Sequence, residues 1–365
     1  MKEGAGDWPP AGDGEARGDV ERSVSDGATY VHGGHGEPAG SPSQATPSGV
    51  GRGRRGSRGG AEERMVGREQ PTTYYGRPIV KPPVWKPEIP FYFFSGGLAG
   101  ASAVLAAGAT FAGRPVLARR AWAGAFAGVT VSPVLLIKDL GKPSRFINML
   151  RVFKPTSPMN LGAWLLAANG GATTLCAGLN LLRPGRRGGA PELAAAALGA
   201  PLATYTAVLV SNSAIPAWSE ARWELPLVFA ASASASAAGA AAITVPTVEA
   251  GPARRLGIAA AIAEEAATVI MHRRLGALAS SYEEGPAGRF GKAARALTLS
   301  GALALGAAGE GRLSPVSSRR GGRRMLSAAG GALLLAGAVC KRWSVFKAGF
   351  HSAEDPAQTV NTQRA

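Results

Sequence analysis

From Phe91 onward, apolar runs of about 20 residues alternate with short segments rich in arginine and lysine. A membrane-spanning helix needs roughly 20 consecutive, mostly apolar residues. The pattern therefore predicts an all-α polytopic membrane protein with about eight transmembrane helices in a bundle. The predicted spans are, in chain order, Phe91–Ala112, Val116–Ile137, Met159–Leu182, Leu193–Ser213, Leu225–Val245, Leu256–Met271, Ala294–Ala308 and Met325–Cys340.

The last three runs fit the pattern less well than the first five. The sixth contains Glu264 and Glu265 near its middle, and the seventh and eighth are short and rich in alanine and glycine. Alanine is only weakly hydrophobic but is a strong helix former, so these runs remain good helices. The alternative is a soluble, alanine-rich helical repeat. That alternative is disfavoured because a soluble helix needs a polar stripe, which these runs lack.

The pattern also divides the chain into three parts. Residues 1–86 contain arginine, glycine and proline in abundance but almost no aliphatic residues, which predicts a disordered cytosolic tail. At the end of this tail, the proline-rich stretch Arg77–Pro90 predicts an extended lead-in to the first span. Residues 87–355 form the predicted eight-helix domain, and residues 356–365 are predicted to be a flexible C-terminal tail.

The net charge is interpreted differently once the chain is divided into tail and helical domain. The whole chain carries a net charge of +16 and has a mean hydropathy of +0.05, values typical of a soluble nucleic-acid-binding protein. The tail is nearly neutral, so almost all the positive charge lies in loops between spans. Such loops fit anionic lipid head groups better than nucleic acid. The positive-inside rule predicts a plasma-membrane protein with a cytoplasmic N-terminus.

The content of cysteine and histidine limits the cofactors that the chain can hold. Two cysteines, Cys176 and Cys340, exclude a cysteine-ligated iron–sulfur cluster within the chain, and we expect both to pack as small apolar residues. We expect no metal site. A dihaem arrangement is disfavoured because only His272 and His351 lie near span ends. A single haem between these two histidines remains an alternative.

The loop after the second predicted span carries the densest chemistry. It begins with Asp139-Leu-Gly-Lys-Pro-Ser-Arg-Phe146 and continues to Ser157-Pro-Met-Asn-Leu-Gly-Ala-Trp164. Asp139 lies where a helix leaves the apolar core, close to several cations. A carboxylate there can exchange protons at the membrane boundary. The alternative is a structural salt bridge between Asp139 and Arg145 that pins the loop.

These stretches resemble the membrane-subunit family of NrfD and polysulfide reductase. Three further segments are similar to the first span of that family, to its fourth span with the following loop, and to its last span with the exit. The segments are Phe91–Gly100, Tyr205–Trp218 and Arg342–Ala353. The four motifs occur in the family's order, and the resemblance covers about residues 75–355.

The resemblance implies an eight-helix subunit that anchors an iron–sulfur, ferredoxin-like subunit. That subunit in turn contacts a molybdopterin oxidoreductase subunit. Members of the family exchange electrons with membrane quinone, either menaquinone or ubiquinone, and carry no haem or iron–sulfur cluster themselves. The other partner that we expect is membrane lipid, with no nucleic acid.

A quinone site needs an apolar slot, aromatic walls and a protonatable group, because quinone chemistry moves protons as well as electrons. The family resemblance implies that this slot lies among spans one to four. The candidates lie at span ends that share one membrane face if the spans alternate, with Tyr205 deeper in its helix. They are Tyr92, Asp139, Arg145, Asn160, Trp164, Tyr205, Asn212 and Trp218.

Within this set we expect Asp139 to handle protons and Tyr92 or Trp164 to line the head-group pocket. For Tyr92, Trp164 and Trp218 the alternative is anchoring in the aromatic belt at the membrane interface. Glu264 is a second candidate proton-handling residue, because a carboxylate inside a membrane needs a partner, water or a proton. Its alternative is a sixth span that is partly interfacial.

Two other classes of function remain open. One is a transporter or channel, which the lack of an internal repeat or of symmetrically interrupted helices disfavours. The other is a structural anchor without a quinone site, which the sequence does not distinguish from a quinone-reactive subunit. The substrate of the partner enzyme and the direction of electron flow leave no signal in the sequence.

Overall fold

The structure is a computed structural model that describes residues 78–309 and 320–364. Over these residues the chain forms helices joined by short connections, and no strand occurs among them. The helices are α1 (Glu88–Phe111), α2 (Pro115–Leu140), α3 (Pro143–Met149), α4 (Pro158–Leu182), α5 (Ala190–Ser211), α6 (Pro216–Ser219), α7 (Leu225–Thr244), α8 (Gly251–Leu275), α9 (Ser280–Glu283), α10 (Gly285–Ala307), α11 (Arg320–Glu354) and α12 (Pro356–Arg364).

Eight of these helices are long, and they coincide with the eight apolar runs of the sequence. The first five agree with the predicted spans to within a few residues. The last three, α8, α10 and α11, extend well beyond the apolar runs. Their flanking turns contain charged residues, and the sequence interpretation placed the helix ends at those charges.

Six of the described helices are long and apolar enough to cross a membrane, namely α1, α2, α4, α5, α7 and α11. The other two long helices, α8 and α10, have 25 and 23 residues, which is sufficient length for a span. They do not satisfy the same criterion, and both carry charged side chains in their interior. The predicted all-α, multi-pass membrane architecture is confirmed.

The long helices form two groups of four. In the first group α1 packs against α2 and α5, and α4 packs against both α2 and α5. In the second group α7 packs against α8 and α11, and α10 packs against α8 and α11. The groups meet where α1 and α5 contact α7. Close packing depends on small residues: a Cβ atom on Gly100 would lie 2.3 Å from the carbonyl oxygen of Gly199.

Because the long helices alternate in direction, half of their ends share one face of the bundle. We call it the lead-in face: the face at which α1, α4, α7 and α10 begin and α2, α5, α8 and α11 end. The short helices α3, α6 and α9 connect long helices there. Residues 78–87, which precede α1, also lie there, since Trp85 stacks on Trp218 with ring centroids 5.4 Å apart.

The two predicted terminal segments can be compared with the structure over the residues that it describes. Of the predicted disordered tail, only residues 78–86 are among the described residues, and they contain neither helix nor strand. The predicted lead-in continued to Pro90, but α1 already begins at Glu88, so Pro90 lies in its first turn. Where the sequence predicts a flexible C-terminal tail, the chain forms α12. The side chain of Ser281 donates a hydrogen bond to Gln358 of α12 at 2.6 Å.

Candidate functional site

The residues predicted from the family resemblance do gather at the lead-in face. Tyr92 lies in the first turns of α1, and Asp139 and Arg145 lie at the end of α2 and in α3. Asn160 and Trp164 open α4, and Asn212 and Trp218 follow the end of α5. Tyr205 is deeper along α5, but its hydroxyl donates to the carbonyl oxygen of Pro158 at 2.5 Å.

Asp139 binds the lead-in segment. Its Oδ1 accepts a hydrogen bond from the backbone N–H of Lys86 at 3.1 Å. Arg145 instead donates to the carbonyl oxygen of Leu140 at 3.3 Å. The ion pair between these two residues that the sequence suggested does not form among the described residues. A different ion pair, Lys138 with Glu88 at 2.8 Å, ties α2 to the start of α1.

Asn160 and Trp164 hold the connection between α3 and α4. The side-chain amide of Asn160 donates to the carbonyl oxygens of Met149 and Val152 at 2.6 and 2.9 Å. Its oxygen accepts from the backbone N–H of Lys154 at 2.7 Å. The indole N–H of Trp164 donates to Val152 as well, at 3.3 Å. Both side chains therefore use their polar atoms to fold the loop.

The side chains of Trp218 and Asn212 also form hydrogen bonds within the protein. Trp218 is fully buried, and its indole N–H donates to the carbonyl oxygen of Val345 in α11 at 2.8 Å. Asn212 donates to the carbonyl oxygen of Val208 in its own helix at 2.8 Å. Tyr92 is buried, with 3% of its surface exposed, in the cluster around Phe93 and Trp218. The predicted residues thus share one face, and most of their polar atoms already bind the protein.

Glu264 lies within the second group of helices, near the middle of α8, and is 2% exposed. Its Oε1 is 3.4 Å from the ammonium nitrogen of Lys341 in α11, and that nitrogen also donates to Thr268 Oγ1 at 3.1 Å. Its Oε2 has no hydrogen-bond partner among the described residues. A buried carboxylate with one free oxygen and one cationic contact is suited to bind and release a proton.

Arg342, the next residue along α11, is fully buried as well. Its guanidinium lies over the ring of Phe229 at 3.7 Å and donates from Nη2 to the carbonyl oxygen of that residue at 3.0 Å. Nε and Nη1 find no partner within the described parts of the chain. Lys341 and Glu264 therefore lie within the second helix group, and the Arg342 guanidinium lies beside Gly97 of α1, where the groups meet. Such buried charges are costly unless polar ligands or water reach them.

A cavity of about 630 Å³ opens beside this group of charges. It lies between α8, α10 and α11, with Val228 of α7 and Tyr282 of α9 contributing to its wall. Its size is within the range of ligand-binding pockets. The polar and charged side chains that line it are Glu265, Thr268, His272, Arg273, Tyr282, Glu283, Glu284, Lys292, Arg295, Lys341 and Ser344.

Ion pairs and hydrogen bonds order the walls of the cavity. Arg295 pairs with Glu265 at 2.8 Å, and His272 Nδ1 lies 3.0 Å from Glu283 Oε1. Tyr282 donates its hydroxyl to the carbonyl oxygen of Ala217 at 2.7 Å. Burial raises the pKa of Tyr282 far above its ordinary value, so its hydroxyl stays a neutral donor. These contacts make the cavity a fixed feature of the second helix group.

The sequence interpretation identified Glu264 but missed its partners. Lys341 and Arg342 follow Cys340, where the predicted eighth span ends, so the hydropathy pattern places them outside that span. The helix in fact continues to Glu354, which turns both cations into interior residues. The available signal was the Glu264–Glu265 pair itself, because buried carboxylates in a membrane require cationic partners on another helix.

No group of three or more histidine, cysteine or acidic residues with metal-binding geometry exists in the described ranges. Cys176 is buried in the first helix group, and Cys340 is half-buried. Both cysteines are free, and Cys176 lies in an apolar cluster.

The fold and this interior chemistry define a class: a multi-pass helical membrane protein with buried ionisable groups. A family model, described as polysulfide reductase of the NrfD type, matches residues 71–354. Because that match covers most of the chain, the protein belongs to the NrfD/polysulfide reductase family, as the sequence motifs predicted. None of the curated proteins matches the chain.

Proposed function

We propose that this protein is the membrane anchor and quinone-interacting subunit of a multi-subunit oxidoreductase. In this role it passes electrons between membrane quinone and an iron–sulfur partner subunit. The observation that carries the proposal is the family match over residues 71–354, since family members are membrane subunits of redox complexes. The grouping of the predicted residues at the lead-in face supports it.

We propose the lead-in face as the docking surface for the iron–sulfur, ferredoxin-like subunit, which links the chain to a molybdopterin oxidoreductase subunit. Residues 141–158 contain four basic side chains and no acidic one. Three large apolar side chains of the same connection, Ile147, Val152 and Phe153, are more than 60% exposed. Exposed apolar residues within a basic surface suit a partner with an acidic rim around an apolar centre.

In this proposal the quinone, menaquinone or ubiquinone, exchanges with the bilayer and is not a resident cofactor. Asp139 and Glu264 are the proposed proton-handling residues. The proposed pocket residues are those predicted at the lead-in face, with Tyr92 and Trp164 foremost. The proposal places the chain in the plasma membrane with the N-terminus in the cytoplasm, as the loop charges favour.

A quinone-analogue inhibitor tests the proposal directly. Membranes that contain the intact complex are given the electron donor or acceptor of the partner enzyme, and quinone reduction or quinol oxidation is followed with increasing inhibitor. We expect inhibitor-sensitive electron transfer that is lost when this subunit is deleted. Electron transfer that is insensitive to the inhibitor would identify the chain as a structural anchor without a quinone site.

A further inference from the structure

Lys341 links the cavity to the buried Glu264, which is not itself one of the lining residues. The cavity is lined at the lead-in face by Glu283 and Glu284, which are exposed, and by His272. Further along α8 it is lined by Glu265 and Thr268, about one to two turns before His272 and next to Glu264. The polar lining therefore runs from the face of the bundle toward the middle of the second helix group.

From these contacts we infer that the cavity is a proton inlet that connects the lead-in face with the Glu264–Lys341 pair. The inference rests on the proposed function, in which quinone chemistry exchanges protons with this face. It assigns a route and an end point to the proton movement, which the family membership does not do.

Lys341 makes the connection between the cavity and the buried acid. Its side chain lines the cavity, while its ammonium nitrogen contacts both Glu264 Oε1 and Thr268 Oγ1. The volume of about 630 Å³ is enough for many water molecules, each of which takes about 30 Å³ in the liquid. Among the lining residues, His272, Glu265 and Lys341 offer polar atoms to which such water can hydrogen-bond.

Charged groups near Glu264 come from α11 and α10, and α7 contributes the uncharged hydroxyl of Ser232. Lys341 and Arg342 approach from α11, and the Glu265–Arg295 ion pair joins α8 to α10 beside it. In the proposed step, the ammonium group of Lys341 transfers a proton to the carboxylate of Glu264, so that an N–H bond breaks and an O–H bond forms. Lys341 regains a proton from cavity water, and the water regains one from the lead-in face. Release reverses the same transfer, and no electron moves.

Cysteine accessibility tests the route. The native cysteines are first removed by Cys176→Ala and Cys340→Ala. In this background, Val345, which lines the cavity, is changed to Cys. The matched control is a Cys at its buried neighbour Phe346, which does not line the cavity. Both side chains are at most 2% exposed. Membranes with the intact complex are treated with a membrane-impermeant, cationic methanethiosulfonate from either side. We expect labelling of Val345→Cys from the lead-in side only, at least tenfold faster than labelling of Phe346→Cys.

Proton uptake tests the end point. The complex is reconstituted in vesicles with a pH-sensitive dye, and proton movement is measured during electron transfer to quinone. We expect Glu264→Gln to slow proton uptake at the lead-in face at least tenfold. The control is Glu192→Gln, which alters a buried carboxylate paired with Arg186 in the first helix group and should leave the uptake rate unchanged.

The outcomes separate the inlet from the proposed function. Equal labelling of the two cysteine variants, or normal uptake in Glu264→Gln, overturns the inlet while quinone-linked electron transfer persists. Protection of Val345→Cys by a quinone analogue also overturns it, since the cavity would then be the quinone site. Absence of any quinone-linked electron transfer in the unmodified complex contradicts the proposed function. The labelling result does not depend on electron transfer, so it still shows whether the cavity opens at the lead-in face.

Discussion

Two tryptophans of this protein make the same hydrogen bond in different surroundings. Trp218 is fully buried, whereas Trp164 is 37% exposed, and each donates its indole N–H to a backbone carbonyl oxygen. A buried acceptor that loses its donor stays unsatisfied, at a cost of about 1–3 kcal/mol, while an exposed acceptor binds water instead. Burial therefore decides which of the two bonds supports the fold.

Replacement of these residues by phenylalanine measures the difference. We expect Trp218→Phe to lower the unfolding free energy by about 1–3 kcal/mol, because the indole donor to Val345 is lost where water does not replace it and the smaller ring leaves a void at a fully buried site. Trp164→Phe should cost less than about 1 kcal/mol. Thermal unfolding of the purified protein in detergent checks both values. Equal decreases in Tm for the two variants would show that the buried hydrogen bond of Trp218 contributes no more to stability than the exposed one of Trp164.

Asp139 allows a test that separates a proton role from a structural one. Asn at this position retains an oxygen that can accept the hydrogen bond from Lys86, but its amide neither binds nor releases a proton at physiological pH. We therefore expect Asp139→Asn to leave assembly of the complex intact and to slow quinone turnover at least tenfold. Turnover is measured in membranes with the intact complex, and normal turnover in the variant would remove Asp139 from the proton path.

At the scale of the elements, close helix packing depends on particular glycines. Gly100 and Gly108 lie on the same helix, but only Gly100 faces a neighbouring backbone closely, that of Gly199. Alanine at Gly100 would place a methyl group 2.3 Å from a carbonyl oxygen, so α1 and α5 would have to separate. At Gly108 the same methyl group meets nothing within 4 Å.

These two positions form a matched pair of variants. We expect Gly100→Ala to destabilise the protein by several kcal/mol through separation of α1 from α5. Gly108→Ala should be neutral or stabilise it by about 0.5–1 kcal/mol, because alanine favours a helix over glycine. The yield of folded protein in detergent and its Tm report on both. A loss of stability at Gly108 equal to that at Gly100 would contradict the packing argument.

The helices also show how far the sequence goes. Apolar runs of about 20 residues located all eight long helices, because a span that crosses lipid must be apolar over that length. The hydropathy pattern did not locate the ends of α8, α10 and α11, because charged residues in the extensions make contacts with other helices, as Lys341 does with Glu264. The same reason applies to the candidate site. The sequence identified Glu264 as an acid inside a span, but it did not identify Lys341 as its partner.

On the scale of the whole molecule, an even number of long helices places both ends of the bundle at one face. Residues 78–87 and α12 both lie at the lead-in face, where α12 contacts α9 through Ser281 and Gln358. The connection between α7 and α8, which includes Glu249, lies at the opposite face.

Single cysteines at Ile79, Ala357 and Glu249 test this arrangement. Intact vesicles treated with an impermeant maleimide should label Ile79→Cys and Ala357→Cys from one side, and Glu249→Cys from the other. Labelling after the membrane is opened with detergent provides the control for reactivity. If Ile79→Cys and Ala357→Cys reacted from opposite sides, the number of membrane crossings would be odd and the fold would be wrong.

The ion pair between Glu264 and Lys341 also has a consequence for how the protein reaches the membrane. A charged residue at the centre of an isolated span costs about 2.5–3.5 kcal/mol on insertion. During synthesis, Glu264 leaves the ribosome more than 70 residues before Lys341. Thr268 lies one turn after Glu264 and still precedes Lys341 by 73 residues. Alone, α8 therefore partitions poorly into lipid. The second helix group is expected to leave the translocon together, once α11 has been synthesised and supplies the missing cation.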